Sequence, residues 1–512
     1  MFSTGILSIG FIVAAVALPL WFWAQSSAKK AAFFRNLLWL GLGAYIVGVS
    51  LAPAMTSAKF SVAFRDFLVL AAIGLASNFL VKNRVLFFIT AILGMISLGI
   101  YYKNILMPSF ALSQSQNIPL DENGELLVEV SEGKSLAALQ PILEEYNISI
   151  SQAFFPADKA STELDDYYLL DIPSHQIAHL AAIKAALEKT GIIDWQEENE
   201  MVALDDPASE NKTGRINKKF GINDPGVEQL WSFEAMEMDK LYDYIDANQI
   251  KPKKKALIAI LDTGVDANHE DLNSVYKSTQ KKYDDDPRGH GTHCAGIAAA
   301  VSNNGIGVAS YSRDNRFVEV TSIKVLSSSG MGTQQTIING ILEAADKNAD
   351  VISMSLGGMS TTTRQRAYSK AVKYALNKGA IVLAAAGNSN RNAKDYAPVN
   401  AEGMIGVSAV DSDLNRAVFS NFVQDISMGI AAPGVDIYST KPSNTYAVHS
   451  GTSMATPYAA GLVGVMKSIQ PKLTNKEVFK ILNRTGKTTK ASSETGKFIY
   501  PYAAIKALAE AK

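Results

Sequence analysis

The chain holds a single cysteine, Cys294, in 512 residues, which excludes an intramolecular disulfide and leaves the core to be held by packing. It also lacks an excess of charge. With 48 Lys and Arg against 49 Asp and Glu the formal net charge is −1, so no basic surface for nucleic acid is implied. Acidic residues are scarce in one place above all. Between Met1 and Lys103 only Asp66 is acidic, and an asymmetry of that kind marks the first hundred residues as living in a different solvent from the rest.

What fills that region is apolar. Four stretches run from Ile6 to Trp23, Leu37 to Met55, Phe67 to Val81 and Val85 to Tyr102. A helix crosses a bilayer with about 20 apolar residues, and Trp21, Trp23, Trp39, Tyr101 and Tyr102 stand near the ends, where amphipathic rings favour the headgroup level. The expectation is a four-helix transmembrane segment over 1–103, with the lipid bilayer as partner. No basic residue precedes Ile6, unlike a secretory signal. Lys29, Lys30 and Arg35 after the first stretch, and Lys82 and Arg84 after the third, put those loops inside by the positive-inside rule. Everything after Lys103 is then expected on the non-cytoplasmic side. No charged residue lies within the stretches, which favours an anchor over a transport path.

A polar linker (104–120) leads to a segment at 121–204 in which strand and helix patterns alternate. Leu126, Val128 and Val130 share one strand face, and Ala137 to Tyr146 has helical spacing. Ile148 to Phe155 and Tyr167 to Ile172 read as strands. Ser174 opens a helix reaching Lys189, and Ile193 to Val202 is extended. The order βαββαβ predicts a small ferredoxin-like α+β domain. Polar residues at 205–222, with Pro207 and Gly214, form a linker suited to processing.

From 223 to 512 the pattern changes to strands alternating with helices. Ala256 to Leu261 is an apolar run, followed by strand Val318 to Val325, helix Thr333 to Asn348, strand Val351 to Met354, helix Thr363 to Lys378 and strand Ile381 to Ala386. This predicts an α/β fold with a doubly wound parallel sheet. Asp262 closes the first strand, where such sheets place ligand sites. Gly289-His290-Gly291-Thr292-His293-Cys294 opens a small-residue helix. Gly451-Thr452-Ser453-Met454-Ala455-Thr456-Pro457 puts a serine at the start of another, running to about Ile469. A serine hydroxyl attacks only when an imidazole takes its proton and a carboxylate orients that imidazole.

The motifs around Asp262, His290 and Ser453, in that chain order, resemble the subtilisin-like serine peptidases, or subtilases, from about Asp224 to Ser468. The resemblance implies a serine endopeptidase acting on polypeptides, with Asp262, His290 and Ser453 as triad and Asn388 as oxyanion donor. It implies substrate lying along Ser355, Leu356, Gly357 and Gly358. The domain at 121–204 looks like a propeptide that plugs the active site with its last strand. Asn303-Asn304-Gly305-Ile306-Gly307-Val308 matches the family's calcium loop, implying structural Ca²⁺ held by Asp271, Asn304 and the carbonyls of Ile306 and Val308. No redox or nucleotide cofactor is implied. Asp284-Asp285-Asp286 reads as a solvated acidic loop, Cys294 as a buried thiol, and His449 as lining the leaving-group side or merely exposed. Tyr396-Ala397-Pro398 departs from the family's Tyr-Pro-Ala order. Two rival readings are a non-catalytic membrane scaffold that binds extended peptides, and a membrane sensor carrying a protease.

Overall fold

The computed structural model describes residues 2–51, 120–204, 219–360 and 365–510, with isolated positions between 66 and 77. The chain divides into two compact units, Met1–Asn117 and Ile118–Lys512.

In the first unit, helices α1 (Phe2–Trp23) and α2 (Ala28–Leu51) are joined by a short 3₁₀ turn. They press backbone to backbone. A Cβ on Gly10 would stand 2.4 Å from the Tyr45 amide nitrogen, and one on Gly41 would stand 2.6 Å from that of Ala14. Phe11, Ala14, Ala15, Ala17, Leu38, Tyr45 and Leu70 form the core of this unit, and the Tyr45 hydroxyl donates to Asp66 at 2.8 Å. No helix among the described residues is long and apolar enough to cross a membrane. This overturns the expected multi-pass anchor, its bilayer partner and the non-cytoplasmic placement drawn from it. Part of the apolar surface is covered within the helix pair, while Phe33, Trp39, Leu40, Ile46 and Val47 of α2 stay exposed. The third and fourth stretches fall outside the described residues, isolated positions apart.

The second unit opens with β1 (Leu126–Val130), helix α3 (Gln140–Tyr146), β2 (Ser149–Gln152), β3 (Tyr167–Asp171), helix α4 (Leu180–Lys189) and β4 (Ile193–Glu198). The four strands form an antiparallel sheet in the order β2-β3-β1-β4, the arrangement expected of βαββαβ. One sheet face buries Leu126, Val128 and Leu170 against Leu143, Ile183 and Leu187 of the helices. The expected strand to Val202 breaks in two. Asn199 donates its side-chain amide to the Gly124 carbonyl at 2.8 Å, and β5 (Met201–Ala203) leaves the sheet for another partner.

The larger domain contains β6 (Ala256–Asp262), α5 (His290–Ala299), β7 (Val318–Lys324), β8 (Met331–Thr333), α6 (Gln334–Asp346), β9 (Val351–Met354), β10 (Gly358–Met359), α7 (Arg366–Asn377), β11 (Ile381–Ala385) and β12 (Tyr396–Ala397). It continues with β13 (Ile405–Val410), β14 (Gly429–Pro433), β15 (Ile437–Lys441), β16 (Thr445–His449), α8 (Thr452–Ile469) and β17 (Lys497–Phe498). Seven strands make a parallel sheet in the order β17-β14-β13-β11-β9-β6-β7. Every residue of β6 and of α8 is buried, which explains why both read as apolar and small-residue runs with no polar face. Helices α5 and α8 share one core with the sheet, while α6 and α7 lie in the other. The strand order reverses at β6, between β7 and β9, and this puts the C-terminal end of β6 at the crevice where parallel sheets bind ligands.

The free face of the small sheet docks on α6 and α7. Leu127, Phe154, Tyr167 and Leu169 belong to one buried cluster with Ile337, Ile338, Ala367 and Ala371. Polar groups frame the contact. Glu129 takes the Tyr167 hydroxyl at 2.8 Å, Arg366 at 3.2 Å and Lys370 at 2.5 Å. Gln334 donates to Glu197 at 3.2 Å.

Candidate active site

Asp262, the last residue of β6, and His290, the first of α5, are brought into contact across 28 positions of sequence. The imidazole Nδ1–H donates to the carboxylate, with Oδ1 at 2.7 Å and Oδ2 at 2.9 Å. Both side chains are buried. The approach depends on Gly291, where a Cβ would stand 2.0 Å from the Gly264 carbonyl oxygen and 3.0 Å from the Asp262 Cβ. With Nδ1 protonated, Nε2 carries the lone pair, which is the tautomer of a general base.

Ser453 lies in the first turn of α8, and Pro457 follows four residues later inside the helix. Proline has no N–H to return to the i−4 carbonyl, so the Ser453 carbonyl must find another donor. It accepts from the Ser355 hydroxyl at 2.7 Å and from the Cys294 thiol at 3.5 Å. The Ser453 hydroxyl donates to the Ser355 carbonyl at 3.1 Å. Polar atoms of Asp262, His290 and Cys294 lie within 4.8 Å of one another, so the thiol joins the acid–imidazole pair to the turn bearing the serine.

Asn388 follows β11. Its side-chain oxygen accepts from the Thr452 amide at 2.8 Å and the Thr452 hydroxyl at 2.9 Å, which turns the Nδ2 donor the other way. A Cβ on Gly451 would fall 3.4 Å from Asn388 Nδ2 and 3.6 Å from the Ser453 amide nitrogen. The two nitrogens therefore lie close to one point beside the serine, where donors to a tetrahedral oxyanion are needed.

Ser355, Leu356, Gly357 and Gly358 line a cleft of about 310 Å³ together with Asn388 and Ser453. Ser355 and Leu356 are buried, so the two glycines present the accessible edge. The cleft is not open along its length. Strand β5 pairs antiparallel with β8, the Leu204 amide donates to the Gly330 carbonyl at 3.1 Å, and Met201, Ala203 and Leu204 complete the lining. A Cβ on Gly358 would touch Met201 and Val202. A segment of the chain itself runs through the groove as an extended strand, the way a peptide adds to a sheet edge.

Asp271 and Asn304 also meet. The Asn304 amide donates to Asp271 at 2.8 Å, and the Val308 amide donates to the same carboxylate at 2.8 Å. Ile306 bonds back to the Asn304 side chain at 3.0 Å. A further residue, overlooked in the sequence, closes the loop from the other side. Asp224 accepts from the Asn303 amide at 2.6 Å and from the Asn304 amide at 3.0 Å. Burial raises Asp224 above the usual carboxylate range and pushes Asp271 up to about 8, with the Asp224 charge adding to the second shift. Among the described residues, the partners recorded for these carboxylates are amides, not lysine or arginine. Two buried carboxylates whose ionised forms burial disfavours, set on a carbonyl-rich loop, suit a calcium ion that would hold them charged. The only trace of Asp224 in the sequence was its place in Asn223-Asp224-Pro225, a turn-like segment far from the loop it serves.

The remaining residues sort by burial. His293 is fully enclosed; burial first, and then His449, hold it well below its ordinary value. Its Nε2 donates to the Ala447 carbonyl at 3.0 Å, and its ring lies 4.6 Å from that of His449. Cys294 is buried, as its small-residue helix implied. The acidic triplet is not one solvated loop, since Asp286 is only 3% exposed.

Comparison with known proteins gives the family. The subtilase family profile (peptidase S8) matches residues 253–499. Thermitase of Thermoactinomyces vulgaris is 45% identical over 218 residues, 42% of this chain and 75% of that protein. Subtilisin DY of Bacillus licheniformis is 42% identical over 235 residues, 44% of this chain and 82% of that protein. A solved protease from Pseudoalteromonas arctica PAMC 21717 is 28% identical, with a TM-score of 0.48 over 56% of this chain and 99% of its own. The chain belongs to the subtilase family and is a subtilisin-like serine endopeptidase.

Proposed function

We propose that the enzyme cuts peptide bonds through an acyl-enzyme formed on Ser453. His290 Nε2 takes the Ser453 proton as the oxygen attacks the carbonyl, while Asp262 holds Nδ1–H and stabilises the imidazolium that forms. For this the hydroxyl leaves the Ser355 carbonyl for the imidazole. Asn388 Nδ2 and the Ser453 amide receive the oxyanion. His290 then gives its proton to the leaving amine, and water, deprotonated in turn by His290, releases the acyl group. The observation that carries this reading is the 2.7 Å Asp262–His290 contact, with Asn388 Nδ2 and the Ser453 amide nitrogen both close to one point beside the serine. Ser453→Ala should abolish both fluorophosphonate labelling and casein hydrolysis. Undiminished hydrolysis by that variant would sink the reading.

The substrates are proteins, as for subtilases. In this reading residues 121–204 act as an intramolecular inhibitor whose strand β5 fills the cleft of the catalytic domain (223–512), and cleavage within 205–222 begins its release. Calcium would be held by Asp271, Asn304 and the carbonyls of Ile306 and Val308, with Asp224 added. Its contribution there is to neutralise the buried carboxylates and brace the loop after α5.

A further inference from the structure

We propose that Asp286 is a positioning residue of this active site, fastening the end of β6 to the start of α5 so that Asp262 and His290 stay in register. The inference rests on the assignment of those two residues as the orienting acid and the base. The three consecutive aspartates before His290 have separate fates. Asp284 accepts from Tyr276 at 2.8 Å and from Ser278 at 2.7 Å, and Asp285 pairs with Lys324 at 2.7 Å. Asp286 turns inward. Its Oδ1 accepts from the Thr263 hydroxyl at 2.7 Å and the Gly289 amide at 2.8 Å. Its Oδ2 accepts from the amide and the hydroxyl of Thr292, both at 2.8 Å.

These donors flank the reacting pair. Thr263 follows Asp262 directly, and its amide donates to Asp262 Oδ1 at 2.7 Å. The Thr263 hydroxyl accepts the Gly291 amide at 3.2 Å. Gly289 and Thr292 bracket His290, so a single carboxylate ties both partners from behind. It also sits at the N-terminus of α5, where a negative charge is favoured. Each hydrogen bond runs toward Asp286, and all are acceptor roles. An asparagine would turn an NH₂ group against N–H or O–H donors whichever way it is oriented.

The test measures kcat and KM on a peptide anilide, per active site titrated with a fluorophosphonate, for Asp286→Asn, Thr263→Val and the double variant. Small displacements of a reacting pair cost up to about 100-fold. Asp286→Asn should lower kcat about 10–100-fold with KM within about twofold. Thr263→Val should lower it less. The double variant should match Asp286→Asn within about twofold, because both changes break one bonding unit. His290 is faced by Asp262 on β6 and by Cys294 on its own helix, and His293 of that helix, itself coupled to Lys441 on β15 and His449 on β16, acts on it from behind; all are retained in Asp286→Asn. Removing one negative charge near the imidazole disfavours its protonated form, so the acid limb of kcat/KM should move to lower pH. A merely structural residue would lower the melting temperature and the titrated fraction and leave that limb in place. Wild-type kcat per site with an unmoved limb in Asp286→Asn overturns the proposal. Should that variant not fold, wild-type kcat in Thr263→Val overturns it. If His290→Ala keeps the wild-type rate, the underlying acid–base assignment fails, a result no change at Asp286 can produce.

Discussion

The charged frame of the small domain's docking face makes a quantitative prediction. Glu129 is enclosed, with a side chain 4% exposed, while its partners Arg366 and Lys370 are 40% and 17% exposed. A buried charge-assisted hydrogen bond contributes about 1.5–3 kcal/mol, and the exposure of the arginine discounts its share through solvent screening. Glu129→Gln keeps an oxygen for the Tyr167 hydroxyl and removes the charge, so the dock should weaken by about 1–2 kcal/mol, or about 5–30-fold. The assay is amide hydrogen exchange on the Ser453→Ala protein, which should stay uncut. The reporter is the Leu204 amide, bonded to Gly330 at the end of β5. If the small domain opens as a cooperative unit, protection at Leu204 should fall by that factor while β6 and α8 are unaffected. A change under about twofold at Leu204, or an equal fall throughout the chain, would refute the reasoning.

Two further outcomes follow from buried carboxylates. Burial pushes Glu197 up to about 7 from an ordinary 4.5. The docked state then holds a proton that the open state releases, so docking is strongest below about pH 4.5 and weakens as the pH rises through about 7. Leu204 protection, corrected for intrinsic exchange, should decline over that window, and Glu197→Gln should flatten the slope; an increase with pH would contradict the assignment. Chelation of calcium should cost about 2–3 kcal/mol if the ion is present at about 100 times its Kd. The calorimetric melting temperature should then drop by about 5–10 °C, and Asp224→Asn should melt at one temperature with or without calcium.

Much of this was legible in the residues. The apolar run before Asp262 read as a buried parallel strand, and the small residues after His290 implied close backbone approach. Both expectations describe what the structure holds. The readings that failed were those about environment. Apolar length in α1 and α2 said that their surfaces needed cover, not that lipid would supply it. Asp286 looked like its two more exposed neighbours because direction, in or out, is decided by a turn and not by composition. Asp224 was invisible because its partners lie about eighty residues away, and Ser355 was read only as cleft lining. Its second role emerges once Pro457 is seen to deprive Ser453 of a helical partner.

That proline has a consequence for how the enzyme withstands heat. Helix ends fray, and a nucleophile suspended from an ordinary first turn would loosen with it. Here the peptide group at position 453 is moored by a hydroxyl just beyond β9 and a thiol on α5, so its orientation is inherited from the buried core and not from the turn that carries it.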